Sequence, residues 1–216
     1  MNIKDIFKKV KPIDWFIFLI FPAIISGIYL WSLFFYSDPN LNPLFLNLAN
    51  PHWWQFITLS LVHFTFEHFF MNLVVYFIFG IIILLIFKDC KLKKSDFIIL
   101  ILTLAILLSI ITSIVSILIY KKGIAGGSSG ITSAMFMFLV VVVYFHNLKQ
   151  NKKQEIKTTL IKSISWAIFF GAGIYCLFPK NTEGISIFGH LVGITIGIIL
   201  AVIFLWKYDI KKWRLK

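Results

Sequence analysis

Three apolar runs of the sequence begin with polar residues that are suited to acyl transfer. Ser129 lies in GGSSG and His190 in FGHLVGITIG, while HFTFEHFFMN contains His68 and Asn72. A serine hydroxyl becomes a strong nucleophile when a neighbouring base takes its proton, and histidine is the usual base near neutral pH. Side-chain N–H groups and helix N-termini stabilise the oxyanion that then forms. No carboxylate is placed to orient His190, so we predict a serine–histidine dyad that needs no metal and no cofactor.

Each of these motifs, taken alone, also has an ordinary structural explanation. Glycine and serine before an apolar run form turns and helix N-caps, which is the commoner role of an isolated GGSSG segment. Gly193 and Gly197, and Gly130 on another run, belong to small-residue series that are typical of close helix packing in membranes. Asn72 alone is suited to an interhelical hydrogen bond. The catalytic hypothesis therefore depends on whether the fold brings these motifs together.

The composition is that of a membrane protein. Of 216 residues, 59% are apolar and 14% are charged, unlike the mix in soluble domains. A bilayer core needs about 20 apolar residues per helix, and six segments meet that need: 15–36, 66–87, 97–119, 129–146, 160–178 and 186–206. We predict an all-α integral membrane protein with a six-helix bundle over residues 15–206. Residues 1–14 and 207–216 form a basic arm and a basic tail.

The positions of lysine and arginine predict the orientation of the bundle, because these residues accumulate in cytoplasmic loops. Eighteen of the 21 basic residues lie in the terminal segments, in the connection after the second span, or in the region from the end of the fourth span to the start of the fifth, and Lys121, Lys122 and Lys180 lie opposite. We therefore expect a multi-pass protein of the plasma membrane with both termini in the cytoplasm. The net charge of +12 indicates contact with anionic lipid headgroups and not with nucleic acid.

This orientation places the polar motifs at one depth. The second, fourth and sixth spans all run inwards from the exterior, and the four polar residues fall within about two turns of the outer helix ends. Residues 37–65 contain three prolines and the segment NPHWWQF, so we interpret them as an interfacial loop on the outer leaflet. One exterior-facing level thus holds a hydroxyl, two imidazoles and a carboxamide.

Together, these motifs resemble those of the rhomboid family of intramembrane serine proteases. Three family patterns match in order: H-x-x-x-x-H-x-x-x-N at His63, His68 and Asn72; G-x-S-G from Gly127 to Gly130; and H-x-x-G-x-x-x-G at His190, Gly193 and Gly197. The resemblance implies that Ser129 is the nucleophile, that His190 is the base, and that Ser128 is the variable position. It assigns His68 and Asn72 to the oxyanion side and His63 to a structural role. It also implies membrane-anchored protein substrates and water held in an exterior-facing cavity.

Two positions depart from the family pattern. The family commonly has an arginine where Gln55 stands, and often an aromatic ring that stacks on the catalytic histidine where Ser133 stands. The anchoring of the outer loop is therefore open, as is the orientation of His190, by a hydrogen bond from Ser133 or by an aromatic residue from elsewhere. The leading hypothesis is a serine endopeptidase. The alternatives are an inactive rhomboid-like protein that binds transmembrane helices and, third, a small transporter.

Overall fold

The computed structural model describes residues 11–36, 38–89, 94–150 and 187–207. Its helices are α1 (Pro12–Phe35), α2 (Gln55–Thr58), α3 (Phe66–Asp89), α4 (Lys94–Tyr120), α5 (Ser129–Gln150) and α6 (Ile187–Lys207). Two 3-10 turns, Pro39–Leu41 and Leu59–Leu61, lie between α1 and α3. Two short antiparallel strands, β1 (Leu46–Asn47) and β2 (Ile124–Ala125), join this α1–α3 connection to the segment before α5.

Four of the described helices, α1, α3, α4 and α6, are long and apolar enough to cross a membrane. They lie over the first, second, third and sixth predicted spans. The apolar part of α5, Ser129–Phe145, is shorter, and the fifth predicted span at 160–178 lies outside the described residues. The protein is thus an all-helical, multi-pass membrane protein, whereas the count of six transmembrane helices stays a prediction.

α5 is the central helix of the described bundle. Its residues 130–136 are all buried, and seven consecutive residues make almost two helical turns, so every face of this part of α5 is covered by protein. A helix that contacts protein on every side is shielded from lipid. This position explains how the apolar part of α5, Ser129–Phe145, can be shorter than the apolar helices around it.

The contacts between helix ends show the relative directions of the helices. The first two turns of α3, α5 and α6 meet through two hydrogen bonds, Thr132 to Asn72 and Ser133 to His190. At the opposite end of the bundle, Lys207 at the end of α6 binds Asp96 near the start of α4, with an Nζ–Oδ1 distance of 2.7 Å. Helices α3, α5 and α6 therefore run in one direction, in agreement with the prediction, and α4 runs against them. We call the end at which α3, α5 and α6 begin the site end.

α1 begins at Pro12 and not at residue 15, because the local sequence favours an earlier start. Proline suits the first position of a helix. The carboxylate of Asp14 accepts a hydrogen bond from the Lys11 N–H at 2.8 Å, which satisfies one of the N–H groups that a helix start leaves free. The predicted basic arm of residues 1–14 thus overlaps the first residues of α1.

Tyr76 compensates for a proline in the middle of α1. Pro22 has no N–H to donate to the carbonyl of Phe18, one turn earlier. The hydroxyl of Tyr76 on α3 donates to that carbonyl at 3.2 Å, and the Tyr76 ring stacks on the Phe18 ring with their centroids 5.3 Å apart. The break in the hydrogen bonds of α1 therefore becomes a contact between α1 and α3.

Gln55 anchors the connection between α1 and α3. Its side-chain oxygen accepts hydrogen bonds from the backbone N–H groups of Asn47 at 3.1 Å and His52 at 3.0 Å, and its amide donates to the Pro43 carbonyl at 3.1 Å. The side chain is buried. The glutamine at the position of the family's arginine therefore holds this connection through its own hydrogen bonds. The interfacial position of the connection in the membrane stays a prediction.

Candidate active site

The segment GGSSG leads into α5 along a path that leaves no room for side chains on its glycines. Gly127 has a φ of +132°, a region that favours glycine. A Cβ on Gly127 would lie 2.6 Å from Cε1 of His68, and one on Gly126 would lie 2.7 Å from the ring of Phe45. The Gly127 N–H also donates to the Leu59 carbonyl at 2.8 Å. These glycines let the backbone before Ser128 lie directly against α3 and the α1–α3 connection.

Ser128 binds His63. Its Oγ lies 3.0 Å from Nε2 of His63, and its backbone N–H donates to the same nitrogen at 3.3 Å. Both residues are buried. Because Nε2 accepts this N–H, the proton of the neutral imidazole is on Nδ1. Ser128, which the motif alone leaves as a variable position, thus holds the turn before α5 against the segment before α3.

The surroundings of His63 keep it uncharged near neutral pH. Burial, and to a smaller extent the nearby His68, lowers the pKa of His63 from 6.5 to about 3. The two imidazole rings lie 5.2 Å apart between centroids, and the ring of Tyr29 meets that of His63 edge-on at 6.5 Å. Within the described part of the chain, no group of three His, Cys, Asp or Glu side chains is arranged to hold a metal ion. The arrangement indicates a structural histidine.

Ser129, the first residue of α5, has different surroundings. It is half-buried and lines an open cavity. Its hydroxyl makes no hydrogen bond to any of the residues that the structure describes, so this hydroxyl does not cap α5. Serine–histidine hydrogen bonds in active sites are often long or poorly aligned in structures without substrate. Of the two adjacent serines, Ser129 is thus the one that lines the cavity and whose hydroxyl has no hydrogen bond to the described residues.

Ser133 joins the backbone of Ser129 to the ring of His190. Its hydroxyl donates to the Ser129 carbonyl at 2.7 Å, and the same Oγ lies 2.9 Å from Nδ1 of His190. Both Ser133 and His190 are buried, with exposed fractions of 0% and 2%. Of the two orientations left open for His190, the structure has the hydrogen bond with Ser133. One residue therefore holds Ser129 and His190 at the site end of α5 and α6.

Glycines allow α5 and α6 to pack backbone against backbone at this point. A Cβ on Gly193 would overlap the carbonyl oxygen of Gly130, and one on Gly197 would overlap that of Ala134. A Cβ on Gly130 would lie 3.1 Å from the carbonyl oxygen of Gly189. This close approach, which small residues permit, brings the histidine of α6 within hydrogen-bonding distance of a serine on α5.

Asn72 and His68 approach the first turn of α5 from α3. The amide nitrogen of Asn72 donates to the His68 carbonyl at 2.9 Å, and its oxygen accepts from the Thr132 hydroxyl at 3.3 Å. The His68 ring lies against Gly127, and its Nε2 is buried without a hydrogen-bond partner among the described residues. A carboxamide and an imidazole thus lie next to GGSSG. Thr132, which links Asn72 to α5, was not singled out in the sequence.

A cavity whose walls include several hydroxyl groups lies beside Ser129. Three hydroxyl residues of α4 contribute to its walls: Ser109, Thr112 and Ser116. The hydroxyls of Thr112 and Ser116 are buried and have no partner among the described residues, so the cavity is suited to ordered water. These hydroxyls were not singled out in the sequence, where the candidates were the polar residues at the outer ends of the second, fourth and sixth spans. The α4 spacing of three and four residues, which places hydroxyls on one helix face, is the signal that would have found them.

The comparison with protein families agrees with the motifs at this site. The family model of the rhomboid domain matches residues 50–207, which include α2 to α6 and all the residues that surround Ser129. No curated protein sequence matches the chain. Rhomboid proteins are typically intramembrane serine proteases that act on transmembrane substrates. Because the match covers most of the chain, this membrane protein belongs to the rhomboid family.

Proposed function

We propose that the protein is an intramembrane serine endopeptidase in which Ser129 is the nucleophile and His190 is the general base. The observation that carries the proposal is the contact through Ser133, which lies 2.7 Å from the Ser129 carbonyl and 2.9 Å from Nδ1 of His190. The backbone of half-buried Ser129 and the buried imidazole of His190 are thus held by one residue between them. Ser128 is already bound to His63, which favours Ser129 as the reactive serine.

The reaction has two halves. First, the Ser129 hydroxyl gives its proton to Nε2 of His190 while Oγ bonds to the carbonyl carbon of the scissile peptide. The C–N bond then breaks, and His190 gives the proton to the leaving amine, which leaves an acyl-enzyme ester on Ser129. In the second half, a water gives a proton to His190 and its oxygen attacks the ester, after which Ser129 regains its proton and the new carboxyl terminus departs.

The oxyanion of each tetrahedral intermediate needs hydrogen-bond donors. The first N–H groups of a helix have no partner within the helix, which makes the start of α5 suitable, and the helix dipole adds to the stabilisation. Asn72 and His68 lie beside this helix start, where Asn72 binds the Thr132 hydroxyl and the His68 ring lies against Gly127. We propose them as the side-chain donors.

The cavity beside Ser129 suits the water that the second half of the reaction consumes. Its α4 hydroxyls provide hydrogen-bond partners for water at the depth of the nucleophile. By the distribution of lysine and arginine, this end faces the exterior of the plasma membrane and both termini are cytoplasmic. The substrates are then membrane-anchored proteins that are cleaved at or near a transmembrane segment.

Neither of the two departures favours an inactive rhomboid-like protein. Gln55 makes three hydrogen bonds to the α1–α3 connection, and Ser133 binds the histidine that an aromatic ring would otherwise orient. A transporter usually has polar groups through the whole membrane thickness. The ionisable and amide side chains of this site lie together at one end of the described bundle.

Labelling with a fluorophosphonate tests the proposal, because this probe reacts with an activated serine. The wild-type chain is expected to be labelled stoichiometrically and to cleave a reporter transmembrane substrate. Ser129→Ala should lose the label, and its cleavage rate should fall at least about 10⁴-fold. Ser128→Ala is the matched control and should keep both. Equal cleavage by wild type and Ser129→Ala, or a wild-type chain that is not labelled, would contradict the proposal.

A further inference from the structure

We propose that Ser133 is a positioning residue that fixes the tautomer of His190, with the proton on Nδ1 and the lone pair on Nε2. This inference rests on the proposed function, because the tautomer matters to the reaction only if His190 is a base. It starts from a short chain of hydrogen bonds that runs from the His190 ring through the Ser133 hydroxyl to the Ser129 carbonyl.

The Ser133 hydroxyl has one proton and two polar neighbours. The carbonyl oxygen of Ser129, 2.7 Å away, can only accept a hydrogen bond, so the hydroxyl proton points to it. The hydroxyl oxygen must then accept from Nδ1 of His190, 2.9 Å away. Nδ1 therefore carries the proton, and in the neutral imidazole Nε2 is left with the lone pair that can take a proton from Ser129.

The opposite arrangement is unfavourable. If the Ser133 proton pointed to Nδ1, the hydroxyl oxygen would face the Ser129 carbonyl oxygen at 2.7 Å with no proton between them. Ser133 is fully buried, so bulk water does not separate these two acceptors. The backbone of α6 at Gly193 also lies close to Ser133, since a Cβ added to Gly193 would be only 3.0 Å from the Cβ of Ser133. This close packing restricts the Ser133 side chain.

The same hydrogen bond becomes stronger as the reaction proceeds. When His190 takes the proton of Ser129, the imidazole becomes positive, and the bond from Nδ1–H to the Ser133 oxygen becomes charge-assisted. An interaction that is stronger in the transition state than in the ground state accelerates the chemical step. In many serine–histidine sites a third residue sets the tautomer and orientation of the base. Ser133 has this role here.

Nitrogen-15 NMR on the full chain, labelled at histidine and held in detergent micelles at mildly alkaline pH, measures the tautomer directly. The His190 signals are those that disappear in His190→Ala. In the wild type, Nδ1 is expected to have the chemical shift of a protonated nitrogen and Nε2 that of an unprotonated one. In Ser133→Ala this preference should be lost or reversed, and Ser133→Thr, which keeps a hydroxyl, should retain it.

The matched control is Ser113→Ala on α4, which also removes a hydroxyl from a fully buried serine. It should leave the His190 signals unchanged. In cleavage assays, Ser133→Ala should lower kcat roughly 10- to 100-fold, the effect of one hydrogen bond to a charged group, and should change KM less than about threefold. Ser133→Thr should recover most of kcat, with some loss because its additional methyl lies beside Gly193.

A wild-type His190 with its proton on Nε2, or the same tautomer in wild type and Ser133→Ala, would overturn the inference. Equal kcat for Ser133→Ala and Ser113→Ala would also overturn it. The NMR result does not depend on turnover. If the wild type had the proton on Nδ1 but cleaved no substrate and took no label, the proposed function would fail while the contact that sets the tautomer remained.

Discussion

Two adjacent serines begin α5, and each is linked to a histidine in a different way. Ser128 contacts Nε2 of His63 directly, through its hydroxyl at 3.0 Å and its N–H at 3.3 Å, in a fully enclosed position. Ser129 faces a cavity and is linked to His190 through Ser133. The direct contact therefore belongs to the pair that we consider structural.

Under the proposed assignment, a direct serine–histidine hydrogen bond does not by itself identify a catalytic pair. At His63 the nitrogen that would have to act as base already accepts a backbone N–H. At His190, Ser133 binds the other ring nitrogen, Nδ1, so Nε2 is the nitrogen suited to proton transfer. The two pairs therefore differ in the ring nitrogen that is engaged, which is Nε2 in His63 and Nδ1 in His190.

Among changes that leave both serines and both histidines in place, the largest effect is expected from Gly193→Ala, which should disrupt the Ser129 pair and leave the Ser128 pair in place. The new Cβ would overlap the Gly130 carbonyl, so α6 must move away from α5. Overpacking of this kind typically costs about 1–3 kcal/mol of unfolding free energy, and misplacement of the base should lower cleavage roughly 100-fold or more. The free energy of unfolding and the cleavage rate are to be measured together.

Gly27→Ala on α1 is the control for this experiment, since nothing lies within 4 Å of a Cβ at Gly27. It should keep activity, and its stability should change by no more than about 1 kcal/mol. A Gly193→Ala variant with the activity of the control would show that the close packing of α5 and α6 is not needed at the site.

A smaller effect is expected from acid, and it concerns the Ser128 pair. The folded-state pKa of His63, about 3, lies below its ordinary 6.5, so the unfolded chain takes up a proton first as the pH falls. The contribution of neutral His63 to the free energy of unfolding is complete above pH 6.5. It is lost between pH 6.5 and about 3, by about 1.4 kcal/mol per pH unit. At pH 5 this loss is about 2 kcal/mol. His63→Gln should lose less stability between pH 7 and pH 5 than the wild type by about that amount, and equal losses would contradict the assignment.

The smallest effect is the change in the free energy of unfolding when either serine is replaced by alanine. Ser128→Ala removes the hydroxyl that binds buried His63 and should lower the free energy of unfolding by about 1 kcal/mol, since the backbone N–H remains as a partner. Ser129→Ala should change it by less than about 0.5 kcal/mol. If Ser129→Ala lost more unfolding free energy than Ser128→Ala, the structural role would belong to Ser129 and our assignment would be wrong.

Much of the fold was predictable because membrane physics constrains it strongly. Apolar segments and the distribution of lysine led to the helices and to the common direction of α3, α5 and α6. The glycine spacing on α6 anticipated the backbone contact of Gly193 with Gly130. These features depend on helical periodicity and on the cost of polar groups in lipid, both of which can be read locally.

The remaining details depend on contacts between residues distant in sequence. Ser128 and His63 are 65 positions apart, and no local pattern tells that the variable position of the motif binds a histidine. The partners of Gln55 are backbone groups of an irregular connection, and the path of that connection follows from its tertiary packing. For His190, the sequence left two possible orientations open, by a hydrogen bond from Ser133 or by an aromatic ring. Only the three-dimensional structure distinguishes between them.

The anchor at Gln55 also bears on how the protein responds to its surroundings. An arginine in the same position would have brought a positive charge, whose interactions weaken as salt screens them. The three hydrogen bonds of the buried, neutral amide carry no such dependence. We therefore expect the hold of Gln55 on the α1–α3 connection to depend little on ionic strength or on the charge of the surrounding lipid or detergent.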